Sequence, residues 1–173
     1  MNLTIKPFGT FDPRILEYLC EELRALGPVA LSPSVPIPET FACRTRDGRI
    51  QYLASEFERA SSTEGGDRVL AVTDADLFER GSTFVFGHAT IRDRFAVISI
   101  ARFGDDGPNK LLERSVKTAI HELGHTLGLY HDDENPDCVM HFSERLDDTD
   151  RKGREFCSRC QTAASFTLGQ LGT

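Results

Sequence analysis

The sequence has no tryptophan, two methionines and three tyrosines, and no apolar run long enough to span a bilayer. Its first residues, Met1 to Phe8, contain neither a continuous apolar stretch nor a small-residue cleavage site, so no secretory leader is visible. Basic residues are the minority, with 20 Lys and Arg against 27 Asp and Glu and a formal net charge of -7. A nucleic-acid binder needs a cationic face to neutralise phosphates, so the expectation is no nucleic-acid partner and no membrane partner. Cysteine is sparse and odd in number: Cys20, Cys43, Cys138, Cys157 and Cys160. Two of them form a CxxC, which suits metal ligation in a reducing compartment better than a disulfide framework, and so predicts a cytoplasmic chain. No internal repeat or low-complexity linker divides the 173 residues, which suit one domain and a monomer.

What is there reads as alternating strands and helices. A short strand is predicted over 3–7. Asp12 and Pro13 then open a helix, as N-cap and first-turn residue, with Ile15, Leu16, Leu19, Leu23 and Leu26 at helical spacing and Gly27 as its stop. Residues 29–35 suggest a second strand broken by Pro33, and 50–60 a second helix with Tyr52, Leu53, Phe57 and Ala60 along its stripe. Residues 68–73 carry the continuous apolar run of a strand buried on both faces. Further strands are predicted over 83–89 and 95–101, and the longest helix over 109–129. This order implies an α/β sandwich on a mostly parallel sheet. Beyond residue 131 apolar periodicity fades while three of the five cysteines cluster. The expectation is therefore a subdomain over 1–131 and a small C-terminal one over 132–173 that needs a staple such as a metal.

The chemistry is concentrated in residues 121–131, an HExxHxxGxxH pattern. Residues four apart share a helix face, so His121 and His125 can reach one ion. A third ligand on the same helix would be carried past it; Gly128 can end the helix and swing His131 back. Three histidines suit zinc and leave it an open position for water, and Glu122 beside the first ligand can serve as general base. At roughly 100° per residue, Leu112, Val116, Ala119, Leu123 and Leu127 fall within about 80° of one another, and the two histidines lie on nearly the opposite side. Such a helix backs onto a core and presents its ligands to a cleft. The expected activity is zinc-dependent hydrolysis of peptide bonds.

The extended motif resembles the metzincin zinc peptidases, in which a methionine turn lies beneath the metal; Cys138-Val139-Met140 supplies it here. Cys138-Val139-Met140 followed by Cys157-Ser158-Arg159-Cys160 is more narrowly similar to the archaemetzincin family, as are Phe84-Val85-Phe86-Gly87, Asp74-Ala75-Asp76-Leu77 and Gly48-Arg49-Ile50-Gln51-Tyr52. The resemblance covers most of the chain. It implies a metzincin-like mixed, mostly parallel twisted sheet with backing and active-site helices, and a zinc-stapled C-terminal lobe. It implies two zinc ions, the second structural and held by four cysteines. It also implies a peptide or protein substrate laid along an edge strand that includes Phe84, Val85, Phe86 and Gly87. One position departs from the pattern: Asp132 stands where a cysteine is expected, leaving Cys138, Cys157 and Cys160. Zinc accepts carboxylate oxygen, so Asp132 is the candidate fourth ligand; the alternatives are Asp133 or a weak or empty site.

Cys20 and Cys43 read as buried small hydrophobes, His88 as an ordinary strand histidine with lining of the cleft as the alternative, and His141 as structural or as support behind a ligand. Two competing functions are a binding protein of the same fold with little turnover, and a redox CxxC protein. The intact Glu122 speaks against the first. The second requires a CxxC that follows a strand and opens a helix, which is not expected here.

Overall fold

The structure is a computed structural model and describes residues 1–171. The chain enters on strand β1 (Leu3–Phe8), then helix α1 (Pro13–Leu23). The Asp12 carboxylate accepts a hydrogen bond from the Arg14 amide at 3.0 Å, Pro13 occupies the first turn, and Ile15, Leu19 and Leu23 are buried. Strand β2 (Val29–Leu31) stops before Pro33, and Val35 makes an isolated bridge to Phe8.

The region expected to form a helix over 50–60 is instead strand β4 (Arg49–Leu53) followed by helix α2 (Ala54–Ala60). Its partner is β3 (Cys43–Arg46), joined to it through Asp47 and Gly48 at φ 51° and 73°. Two consecutive positive φ values are the signature of a tight hairpin turn, and Asp-Gly is the sequence that favours it. The apolar spacing of Tyr52, Leu53 and Phe57 was compatible with a helix, but pairing on both sides of β4 decides the first half as strand. Cys43 lies on this hairpin and is exposed, not buried, whereas Cys20 is half-buried against the main core.

Strand β5 (Arg68–Thr73) is buried at every residue. It is followed by β6 (Asp76–Phe78), β7 (Gly87–Ala89) and β8 (Phe95–Ser99). Five strands form the main sheet in the order β2-β1-β5-β8-β7, parallel except for β7, which runs antiparallel to β8 along the edge. A second sheet has the order β3-β4-β6. The strand predicted over 83–89 divides between the two. Val85 bridges Leu77 of β6, and only Gly87–Ala89 pairs with β8. The segment crosses from one sheet to the other, so it cannot pair as one continuous strand.

Helix α3 (Pro108–Thr126) packs with α1 against one face of the main sheet, where Leu19, Leu70, Ile98, Val116, Ala119 and Leu123 share a core. Phe57 of α2 covers the other face with Phe8, Phe41, Ala71 and Val97. Beyond α3 come two helices without a periodic apolar signal, α4 (Leu146–Arg151) and α5 (Ser158–Leu171). The C-terminal lobe has its own small core of Leu127, Leu129, Cys138, Val139, Met140, Cys160 and Ala164. Residues 172 and 173 of the expected second subdomain lie outside the described residues. Among those described, no helix is long and apolar enough to cross a membrane.

The Phe57 ring is fully buried and meets Phe8 and Phe41 edge-on, at centroid distances of 5.3 and 4.9 Å. Phe57→Ala is expected to cost about 3–5 kcal/mol of unfolding free energy, read from denaturant curves, by opening a cavity between α2 and the sheet.

Candidate metal centres

Helix α3 brings His121 and His125 to one face, and its end is tied to the sheet. The buried Arg68 guanidinium donates to the Thr126 hydroxyl at 3.1 Å and to the Thr126 carbonyl at 3.0 Å, a cation at the negative end of the helix. The chain then reverses at Gly128, φ +92°, and the Leu129 amide turns back to the Gly124 carbonyl at 3.0 Å. That reversal returns His131 to its helical partners: its ring centroid lies 5.2 Å from that of His121 and 4.9 Å from that of His125. One ring nitrogen from each of the three lies within 4.8 Å of the others.

Second partners fix the ring tautomers. His121 Nδ1–H donates to the Val139 carbonyl and His125 Nδ1–H to the Leu129 carbonyl, each at 2.8 Å. Both Nε2 atoms are therefore acceptors, and they face each other at 3.2 Å. Two lone pairs at this separation suit a shared cation. Tetrahedral zinc with nitrogen at about 2.0–2.1 Å separates its ligands by about 3.3 Å. Burial holds the His125 imidazole at about 4 and His121 well below its ordinary range, so both stay neutral at physiological pH.

Met140 lies beneath, in a turn closed by the His141 amide on the Cys138 carbonyl at 2.9 Å. It is packed against Gly124, where any side chain would bring a Cβ within 2.4 Å of the Met140 sulfur. The Glu122 carboxyl is buried against Gly87 of the edge strand; a Cβ there would stand 2.6 Å from Glu122 Oε1. Burial pushes Glu122 up to about 8, opposed by the positive charge of His88 and Lys152. His88 lines the cleft, and its Nδ1 is 2.7 Å from the Glu58 carboxylate.

Lys152 also lines the cleft. Buried Arg114 and Lys117 of α3 dock α4: Arg114 pairs with Asp150 at 2.7 Å, and Lys117 donates to the Thr149 and Asp150 carbonyls at 3.2 and 2.9 Å. The residue after α4 is thereby carried into the cleft. Lys152 Nζ donates to the His141 carbonyl at 3.0 Å and lies 3.3 Å from His121 Nδ1. That nitrogen already gives its proton to Val139, so the lysine's hydrogen bond is the one to His141. A lone lysine in a polar stretch carries no sequence signal for such a role. The cleft encloses about 240 Å³ between Phe86, Gly87 and Ala89 on one side and Phe142, Ser143 and Lys152 on the other. Of the expected edge residues, Phe86 and Gly87 line it, whereas Val85 packs into the core behind the sheet and Phe84 lies farther along, its ring 5.1 Å from that of Phe86.

A second cluster joins Asp132, Cys138, Cys157 and Cys160, whose ligand atoms also lie within 4.8 Å of one another. Asp132 is 3% exposed. The Cys157 thiol donates to Asp132 Oδ2 at 3.2 Å, and the Cys160 sulfur lies 3.7 Å from the same oxygen. Sulfur and oxygen ligands on tetrahedral zinc stand about 3.5 Å apart, so this group also suits zinc. Asp133 is not among its members. The other Asp132 oxygen pairs with Arg159, which also holds Glu134 at 3.0 Å. The Cys157 hydrogen bond, then Arg159, keeps Asp132 below the usual carboxylate range; burial and the adjoining thiols push Cys160 up. Contrary to expectation the CxxC does open a helix, α5, yet its thiols are gathered with Cys138 around a carboxylate instead of following a strand. His141 Nδ1 approaches the Asp132 main-chain carbonyl at 3.3 Å.

Residues 48–165 match peptidase family M54. The archaemetzincin of Methanopyrus kandleri is 51% identical over 166 aligned residues, spanning 94% of this chain and 88% of that protein. The crystal structure of the Methanopyrus kandleri archaemetzincin superposes with a TM-score of 0.84 and 38% identity in that structural alignment, covering 98% of this chain and 96% of the other. The Archaeoglobus fulgidus archaemetzincin, solved complexed with malonate, superposes with a TM-score of 0.81 at 32% identity, covering 94% and 99%.

Two outcomes follow from the geometry. Arg159→Ala, which frees the outer Asp132 oxygen, should weaken metal retention at the cysteine cluster about 10–100-fold in chelator competition while leaving the histidine cluster loaded. In metal-stripped protein, folded Glu122 keeps a proton between 4.5 and about 8 that the unfolded chain has released, so stability falls as pH rises through that window. Unfolding curves of Glu122→Gln should lack this component, and an unchanged pH profile would show that the carboxyl is ionised in the folded state.

Proposed function

The chain belongs to peptidase family M54 and is a zinc metallopeptidase, and from that premise we propose that His121, His125 and His131 hold its catalytic zinc and that Glu122 is its general base. The observation that carries this reading is the convergence of the three ring nitrogens beside a buried carboxyl, itself pressed against the edge strand at Gly87. When bound, zinc supplies the Lewis acidity that activates a water and polarises the scissile carbonyl.

The remaining work falls to side chains and backbone. A peptide adds to the free edge of β7 through main-chain hydrogen bonds, which brings a scissile bond over the histidines. Glu122, kept from solvent and held ionised by the charge that a bound zinc would bring beside it, takes the proton of the attacking water at its carboxylate and hands it to the departing amine. The Val139 and Leu129 carbonyls keep His121 and His125 in the ligand tautomer throughout. Met140 supports the helix from below through Gly124.

The proposal extends to a second, structural zinc held by Cys138, Cys157 and Cys160 with Asp132 as fourth ligand. Its ligands all come from residues 132–160, so it would cross-link the C-terminal subdomain of 132–173 within itself. Three thiolates and one carboxylate match zinc's preference for sulfur with room for oxygen. The substrate is a peptide or protein, as family membership implies.

Metal analysis by mass spectrometry on protein purified without added metal tests the assignment. The expected result is two zinc ions per chain, one lost in His125→Ala and the other in Cys157→Ala. Zinc unchanged in His125→Ala would overturn the catalytic site. Glu122→Ala should retain zinc and lower peptide hydrolysis by at least about 10²–10⁴-fold; undiminished turnover would remove Glu122 from the mechanism.

A further inference from the structure

The cleft does not end at the histidines. Beyond Phe142 and Ser143 it continues as a furrow of about 590 Å³ between residues 81–86 and residues 142–145. That furrow shares Phe84, Phe86 and Arg145 with a hollow of about 370 Å³. Arg49, Arg102 and Arg145 all line the hollow, although the chain as a whole carries a net charge of -7.

The three arginines are not equivalent. Arg102 is committed: it pairs with both Asp76 oxygens at 2.7 and 2.6 Å and lies over the Phe84 ring at 3.9 Å. It stiffens the aromatic wall and its charge is answered. Arg49 and Arg145 are exposed; neither pairs directly with a described carboxylate, although Arg49 adds its field to that of Arg102 at Asp76. Asp147 is the one carboxylate lining the hollow, and it lies 4.0 Å from Arg151, on the following turn of α4. The hollow therefore presents two uncommitted guanidinium groups beside an aromatic wall that runs on directly from the catalytic cleft. A peptide extended along β7 and residues 83–86 would bring a group into it, and the anions an unmodified peptide carries are carboxylates.

We propose that this hollow is a substrate subsite for a carboxylate, with Arg49 and Arg145 as its specificity-determining residues. The carboxylate is either an Asp or Glu side chain remote from the scissile bond or the peptide's own C-terminus. The proposal rests on the peptidase reading of the neighbouring cleft. Guanidinium groups at the rim of a binding site select partners by charge even when each exposed pair is individually weak.

The test is equilibrium binding of fluorescent peptides to zinc-loaded Glu122→Gln protein, in which peptides persist. Peptides of one sequence carry Asp, Asn or Lys at each position in turn, all with amidated C-termini, and the Asn series is repeated with free C-termini. Peptides whose carboxylate reaches the hollow should bind about three- to tenfold more tightly than their neutral counterparts. The preference should disappear in Arg49→Ala/Arg145→Ala, persist in Arg49→Lys/Arg145→Lys, and shift toward Lys peptides in Arg145→Glu, with thermal unfolding confirming that each variant is folded. Tightening by internal Asp identifies a side-chain subsite; tightening only by a free C-terminus identifies a terminal-carboxylate subsite. Equal binding of acidic and neutral peptides would overturn the subsite and leave the peptidase reading standing. Failure of every peptide to bind the zinc-loaded protein would overturn both.

Discussion

Everything at the histidine cluster depends on the reversal of the chain at Gly128. A helix presents ligands only along its own face, so two histidines of α3 are as many as it can direct at one point. The positive φ of Gly128 ends the helix, and in the same movement points the Leu129 carbonyl back at His125 Nδ1. One turn thus delivers the third imidazole and fixes the tautomer of the second. The Cys138–His141 turn does the equivalent for His121 through the Val139 carbonyl. It also sets Met140 under Gly124 and contributes Cys138 to the other cluster. Neighbouring residues of one turn therefore serve both candidate metal sites, so the two sites have a common mechanical support.

The parts of this arrangement visible in the sequence are those that lie close together along the chain. His121, Glu122, His125, Gly128 and His131 fall within one short motif whose spacing has a single geometric solution. The burial of Val116, Ala119, Leu123 and Leu127 follows from helical periodicity alone. Asp132 could be nominated because the archaemetzincin resemblance implies a cysteine directly after the third histidine, and the structure gathers it with the three cysteines. Contributions from afar left no such trace. Lys152 reaches the cleft because Arg114 and Lys117 dock α4, an arrangement that no local pattern announces. The same holds for Glu58 against His88 and for Arg159 against Asp132.

Secondary structure failed where local spacing was ambiguous. Residues 49–53 fit a helix stripe until the Asp47-Gly48 turn is given its due as a hairpin signal, and their partner strand across it contains little that is apolar. Helix α5 has no strong apolar face because much of it is exposed; what anchors its first turn is the chemistry of Cys157 and Cys160. A lobe with so small a core gains its order from polar and thiol contacts, which hydrophobic periodicity does not register.

The crossing of residues 83–89 between two sheets bears on how the cleft meets a ligand. Val85 is bound to β6 from one side, and Gly87–Ala89 to β8 from the other. A rim belonging to a single sheet can fray outward from its free end; a rim stitched into two is clamped like a beam at both supports. In the proposed mode of binding the template strand is thus already straightened before a peptide docks on it, and most of the ordering entropy of β-addition falls on the incoming peptide. Recognition by such a rim favours ligands that arrive extended, and discriminates against compact, folded segments before any side chain is read.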